Sequence, residues 1–230
     1  MTLATWHGLV IEAHDVDAQS RFWADVLGLV VAGPVEDRRL EGETPRHTVR
    51  VVETDRPHEP KTAKNRVHPD LDCGSVEEVV AHGGRVLAPA EETGFAWTTM
   101  HDPEGNELCA FARPGRSLPA YRLHGLGIDC VDPGAQAAWW GEVLGVEVEH
   151  QRGDHGDEWW TLTGAAVDAR MTLDFNAVPE PRTERSRVRW NVVGDVDALL
   201  SRGATRLADG LLADPEGNPF GVVPSRMLGA

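Results

Sequence analysis

The chain is 230 residues long, 41% apolar, and carries a formal charge of −15 with eight tryptophans. That length suits one large domain or two of about 115 residues, and the apolar content excludes a disordered chain. The acidic balance excludes a nucleic-acid partner, which needs clustered Lys and Arg; it fits either a generally acidic surface or a cleft that attracts a cation.

The N-terminus shows no basic start followed by an apolar stretch, and no apolar run reaches the ~20 residues of a membrane span. A cytoplasmic protein with no membrane partner is therefore expected. Leu9, Ile11 and Ala13 alternate with Val10 and Glu12 as a half-buried strand does. Asp15 then stands where a helix N-cap belongs, Phe22, Val26 and Leu29 follow at helical spacing, and Gly28 stops the helix. Val30–Ala32 and Val49–Val52 read as strands, and Lys61–Asn65 as a joining segment. A second strand begins at Arg66-Val67-His68-Pro69-Asp70-Leu71, followed by a helix from about Ser75 to Ala81 and by Gly83-Gly84. The tight-turn sequence Asp102-Pro103-Glu104-Gly105-Asn106 leads into a strand starting at Glu107. Arg113–Pro119, rich in Pro and Gly, reads as a linker.

Beyond the linker the pattern recurs. His7-Gly8-Leu9-Val10-Ile11 matches His124-Gly125-Leu126-Gly127-Ile128. Asp15, Gln19, Trp23 and Gly28 match Asp132, Gln136, Trp140 and Gly145 at the same spacing, so the chain is a tandem duplication. Pro133 sits in the first turn of the second helix, where proline is tolerated. Val146–Val148 and Met171–Phe175 read as strands, Val178–Ser186 as a joining segment, Arg187–Val192 as a strand and Asp195–Ser201 as a short helix. Asp214-Pro215-Glu216-Gly217-Asn218 repeats the turn, but Pro219 stands where the first copy has Glu107. Four strand–helix–strands units in two pairs are the simplest architecture. Cys73, Cys109 and Cys130 are odd in number and widely spaced, which suits small core residues better than a disulfide frame or a zinc knuckle.

The phrases His7…Asp15…Phe22-Trp23…Leu27-Gly28, Asn65-Arg66-Val67-His68 and Asp102–Glu107, in this order, resemble the vicinal oxygen chelate superfamily of glyoxalases, bleomycin-resistance proteins and extradiol dioxygenases. The resemblance implies an α+β fold of two tandem domains, residues 1–115 and 120–230, each built from two βαβββ units forming a partly open cup. It also implies a divalent metal (Fe, Mn, Ni or Zn) held in the N-terminal domain by His7, His68 and Glu107, a donor set suited to such ions. His7 carries a difficulty: the family's ligand lies seven residues before the helix-starting aspartate, which here is Gly8. A one-residue slip reverses a strand side chain, so His7 points inward only through a bulge, and Glu12 is the reserve ligand or base.

Glu107 shares a strand face with Cys109 and Phe111, and His68 with Asp70 and Asp72, which also suits a solvated polar face for His68. Glu107 and His101 are the candidate acid–base groups, with His47 as a further one. Glu12, Trp97 and Arg189 are candidate substrate contacts. In the second copy the positions of His7, His68 and Glu107 are taken by His124, Arg189 and Pro219, and neither arginine nor proline supplies a metal-ligating side chain. That copy therefore reads as degenerate, with Trp159, Trp160 and Trp190 as core, rim or ligand-facing residues. Two functions follow, beside a sensor or scaffold whose pockets have no catalytic duty. One is a metal-dependent enzyme that chelates a small oxygenated substrate for lyase, isomerase or dioxygenase chemistry. The other is a metal-free protein, similar to the bleomycin-resistance branch, that sequesters a cationic small molecule. The expected partner is a small molecule, and the protein is a monomer or a homodimer.

Overall fold

The computed structural model describes residues 2–54, 61, 63–153, 156–166, 169–179, 184–208 and 210–224. Four units of like design follow one another. The first comprises β1 (Ala4–Ala13), α1 (Val16–Leu27), β2 (Val30–Ala32), β3 (Arg38–Glu41) and β4 (Thr48–Glu53). The second comprises β5 (Val67–Cys73), α2 (Val76–Ala81), β6 (Arg85–Ala88), α3 (Ala90–Thr93), β7 (Thr98–His101) and β8 (Glu107–Ala112). The third has β9 (Leu123–Cys130), α4 (Pro133–Leu144), β10 (Glu149–Arg152), β11 (Glu158–Thr163) and β12 (Thr172–Ala177). The fourth has β13 (Val188–Gly194), α5 (Val196–Ser201), β14 (Thr205–Arg206), β15 (Leu212–Ala213) and β16 (Pro219–Pro224). The strand expected at Val146–Val148 starts instead at Glu149, because the Val146 amide is held by the Gly141 carbonyl at the end of α4. The joining segment at Val178–Ser186 lies partly outside the described residues.

The strands form two open eight-stranded sheets, ordered β14-β15-β16-β13-β1-β4-β3-β2 (sheet A) and β10-β11-β12-β9-β5-β8-β7-β6 (sheet B). Each sheet thus couples one unit from each half of the chain, first with fourth and second with third. At the two central seams β1 runs antiparallel to β13, and β5 to β9. Both seams carry a bulge at matched positions: His7 is the extra residue between Trp6 and Gly8, and His124 the extra residue between Leu123 and Gly125.

Helices α1 and α4 lock the sheets together. Asp15 and Asp132 cap them by accepting from the Ala18 and Ala135 amides, and Gly28 and Gly145 end them in the left-handed conformation. Phe22, Trp23, Trp140 and Val143 enter a single core that also holds Leu9, Ile11, Leu126, Phe175 and Trp190. Gly28 has φ 72°, and a Cβ there would lie 2.0 Å from the Ala120 carbonyl oxygen. Gly28→Ala is therefore expected to destabilise the protein by more than about 2 kcal/mol, combining backbone strain with a backbone clash. A urea midpoint unchanged from wild type would refute this.

The repeated turn supplies the second lock. Asp102 accepts from the Trp23 indole at 3.1 Å and from the Glu104 and Asn106 amides. Glu104 reaches across to the amides of His14 (2.9 Å) and Asp15 (2.7 Å) at the foot of α1. Asp214 and Glu216 repeat this with the Trp140 indole at 3.2 Å and with the amides of Val131 and Asp132. Each turn thus ties a helix entering from one sheet to a hairpin of the other. This explains why both copies keep the turn although only the first is followed by a carboxylate.

Candidate functional site

Alternation along the strands of sheet B sends Leu71, Ala110, Leu126 and Leu173 into the core and their neighbours into a cleft of about 1320 Å³. Strand register places these neighbours in rows. One row runs His101, Glu107, then His68, Gly127, Asp174 and Thr161 across β7, β8, β5, β9, β12 and β11. The next runs Thr99, Cys109, Asp70, Gly125 and Thr172. The two glycines leave the floor bare: a Cβ at Gly127 would stand 3.8 Å from His68 Nδ1 and 3.9 Å from both Asp70 oxygens.

The charged groups on this floor differ in how they are satisfied. Both Glu107 oxygens accept from Lys61 Nζ, at 2.6 and 2.7 Å, and one accepts from the Asn65 amide at 3.1 Å. Burial works to raise the Glu107 carboxyl, but these bonds outweigh it and hold it below the usual range. Asp129 lies 2.6 Å from Lys64 Nζ. Asp174 accepts from the Thr161 and Thr172 hydroxyls, each at 2.6 Å. Asp70 is 8% exposed, its Oδ1 has no hydrogen-bond partner, and neither it nor Asp174 is ion-paired among the described residues. Burial, with Asp174 and Asp129 nearby and only partial relief from the Cys109 thiol, pushes its carboxyl up to about 8. His68 is held neutral chiefly by burial, so its Nε2–H donates to the Asn65 carbonyl at 2.7 Å and Nδ1 carries the lone pair.

One wall is aromatic. Phe95 stacks on Trp97 at 4.6 Å, Trp97 lies 5.4 Å from Phe111, and Phe111 meets His124 edge-on at 4.6 Å. Trp159 on β11 lines the other side.

Of the residues singled out from sequence, His68, Glu107, His101 and Trp97 line this cleft. His7, Glu12 and Arg189 do not, because they sit on β1 and β13 of sheet A. His7 does occupy a bulge, as inward orientation required, but in the wrong sheet to join His68 and Glu107. Glu12 and Arg189 meet each other at 2.6 Å, and Arg185 also reaches Glu12. Nor does the site belong to the N-terminal half alone, since Gly127, Asp129, Trp159 and Asp174 come from the second copy. Trp190 packs in the core against Trp140, Trp160 stacks on His150, and His47 stacks on Tyr121.

The expected metal-binding set is therefore not assembled. Its first-strand histidine is on the other sheet, and its carboxylate is engaged on both oxygens by an ammonium. Among the described residues no three His, Cys, Asp or Glu side chains converge to hold an ion. Sequence reasoning missed Lys61, Asp70, Asp174 and Asn65. Asp70 carried a signal, its shared strand face with His68, and Asn65 stood in a phrase of the resemblance without a role being assigned to it. Asn65, 1% exposed, donates its side-chain amide to Asn106 Oδ1 and its backbone amide to Glu107, and its Oδ1 accepts from the Arg187 amide, so it joins the two halves behind the cleft.

The model of the glyoxalase-like domain matches the chain twice, over residues 8–111 and 125–223. No curated protein matches it. Among solved structures, glyoxalase I from Zea mays is similar at 14% identity and TM-score 0.68, covering 98% of this chain and 94% of that one. A putative dioxygenase from Bacillus subtilis subsp. subtilis str. 168 is similar at 15% identity and TM-score 0.63, covering 97% and 86%. At such identities these two structures speak for the fold alone. With the family model matching most of its length, the chain belongs to the glyoxalase-like domain family of the vicinal oxygen chelate superfamily, with the domain present in two tandem copies.

Proposed function

We propose that the cleft of sheet B binds a small organic cation with a flat aromatic portion. The observation that carries this reading is the Asp70–Asp174 floor, one buried and one half-buried carboxyl group without a basic partner among the described residues, beside the Trp97 wall. Among the described residues seven carboxyl groups line the cleft against four Lys and Arg side chains, so their field favours a positive guest. Stacked rings beside carboxylates supply the two contacts such a guest uses, ring stacking and charge. Metal-chelating chemistry on an oxygenated substrate is not part of this reading, because Glu107 is already engaged by Lys61.

Benzamidine, benzamide and benzoate share a ring and differ in charge, and tryptophan fluorescence reports their binding. Benzamidine is expected to bind at least about tenfold more tightly than benzoate. Trp97→Ala and Asp174→Asn are each expected to weaken it by a similar factor, about 1.4 kcal/mol. Equal affinity for the cation and the anion would end this reading.

A further inference from the structure

The Lys61–Glu107 pair is not required by a cleft that takes cations, since it cancels a carboxylate such a cleft would use. Lys61 comes from the segment joining β4 to β5 and not from a strand of the cup, yet its side chain is only 6% exposed and that of Glu107 8%. Burying an ammonium sacrifices hydration and side-chain freedom, and is tolerated where the ammonium meets a carboxylate closely on geometry as good as this. Here it meets both oxygens, at 2.6 and 2.7 Å, while the Asn65 amide fixes the same carboxylate at 3.1 Å. His101 Nε2 stands 3.9 Å from Glu107 Oε1. Two donors that each bind a divalent ion at roughly 2.0–2.2 Å lie about 3.0–3.5 Å apart in tetrahedral or cis-octahedral geometry, so Glu107 and His101 need close by only about half an ångström to share one ion. What stands at the carboxylate is an ammonium.

We propose that Lys61 is a tethered cation that takes the place of a divalent ion at Glu107, leaving the cleft with a latent two-donor metal site made by Glu107 and His101. The ammonium supplies one fixed positive charge at this end of the cleft, where Lys64 and Arg187 also lie. The inference does not depend on which molecule the cleft takes, and its test uses no organic ligand. A pair that merely anchors the segment before β5 would lose stability when Lys61 is replaced and would gain no affinity for metal.

Cobalt(II) titrations of the full-length protein, followed by visible absorption and calorimetry, separate these cases. Wild type is expected to show no saturable binding below about 1 mM, whereas Lys61→Met, which keeps the apolar stem, binds one equivalent at least about tenfold more tightly. Lys61→Gln gives a second, polar version of the same change, with folding of each variant followed by circular dichroism. Adding His101→Ala or Glu107→Gln to Lys61→Met is expected to abolish the gain. Two results overturn the proposal. One is folded Lys61 variants that bind no more cobalt than wild type. The other is wild-type protein that binds one equivalent and loses it in Glu107→Gln, a result that needs no Lys61 variant to fold.

Discussion

Asp70→Asn is expected to make the protein more stable at neutral pH and to flatten its pH dependence. The Asp70 carboxyl titrates at about 8 in the fold, against 3.8 ordinarily. Between those values the native state holds a proton that the unfolded state has lost, so stability falls as pH rises from about 4 through about 8. At pH 7 the shift corresponds to at most about 4 kcal/mol of lost stability, at ~1.36 kcal/mol per unit. The Asn amide carries no charge and removes that penalty, leaving a gain of about 2–4 kcal/mol, or a melting temperature higher by roughly 5 °C or more. Melts of both proteins from pH 4 to 9 give the answer. Parallel curves would show that Asp70 is not the titrating group. The same substitution should weaken the binding of benzamidine, whose affinity for wild type should rise from pH 7 to 9 as Asp70 ionises. A residue that lowers stability while serving the cleft is the trade-off expected of a binding site.

The parts of this molecule that the sequence exposes are those fixed by neighbouring residues. Asp15 and Gly28, with their counterparts Asp132 and Gly145, mark the ends of α1 and α4 because caps and left-handed stops are local events. The spacing from His7 to Asp15 is one residue too long for regular alternation, and a bulge takes up the excess. Sheet partnership is a different matter. The first strands of all four units show similar alternation, so nothing along the chain tells β5 to pair with β9 in preference to β1. That one unknown moves His7, Glu12 and Arg189 away from His68 and Glu107. His68, Glu107, His101 and Trp97 stay together because one unit carries them all. Lys61 was invisible for another reason: a lysine in a joining segment looks like any surface lysine until its carboxylate partner, 46 residues away, is seen beside it.

The turn that recurs in both halves should prove the costliest place to alter the fold. Asp102 is fully buried and accepts four hydrogen bonds: from the Trp23 indole, the Glu104 and Asn106 amides, and the Asn106 side chain at 2.8 Å. Asp102→Ala leaves three buried donors and the part-buried Glu104 amide without that acceptor, and each buried donor so stranded costs about 1–3 kcal/mol before relaxation. Relaxation and entering water recover part of this, so a loss of about 3–5 kcal/mol is expected. Asp102→Asn keeps one acceptor oxygen and should fall between the two. Asp214→Ala should behave like Asp102→Ala, because Trp140, Gln136, Glu216 and Asn218 surround Asp214 in the same way. The clamp joins helices of one sheet to hairpins of the other, so its loss should loosen both sheets together and unfolding should stay a single transition. Urea unfolding followed by fluorescence and circular dichroism tests this directly. Loss of less than about 1 kcal/mol in both alanine variants would mean that the repeated turn is a relic of duplication and not a clamp. Two separate transitions would mean that the sheets are held together by the core alone.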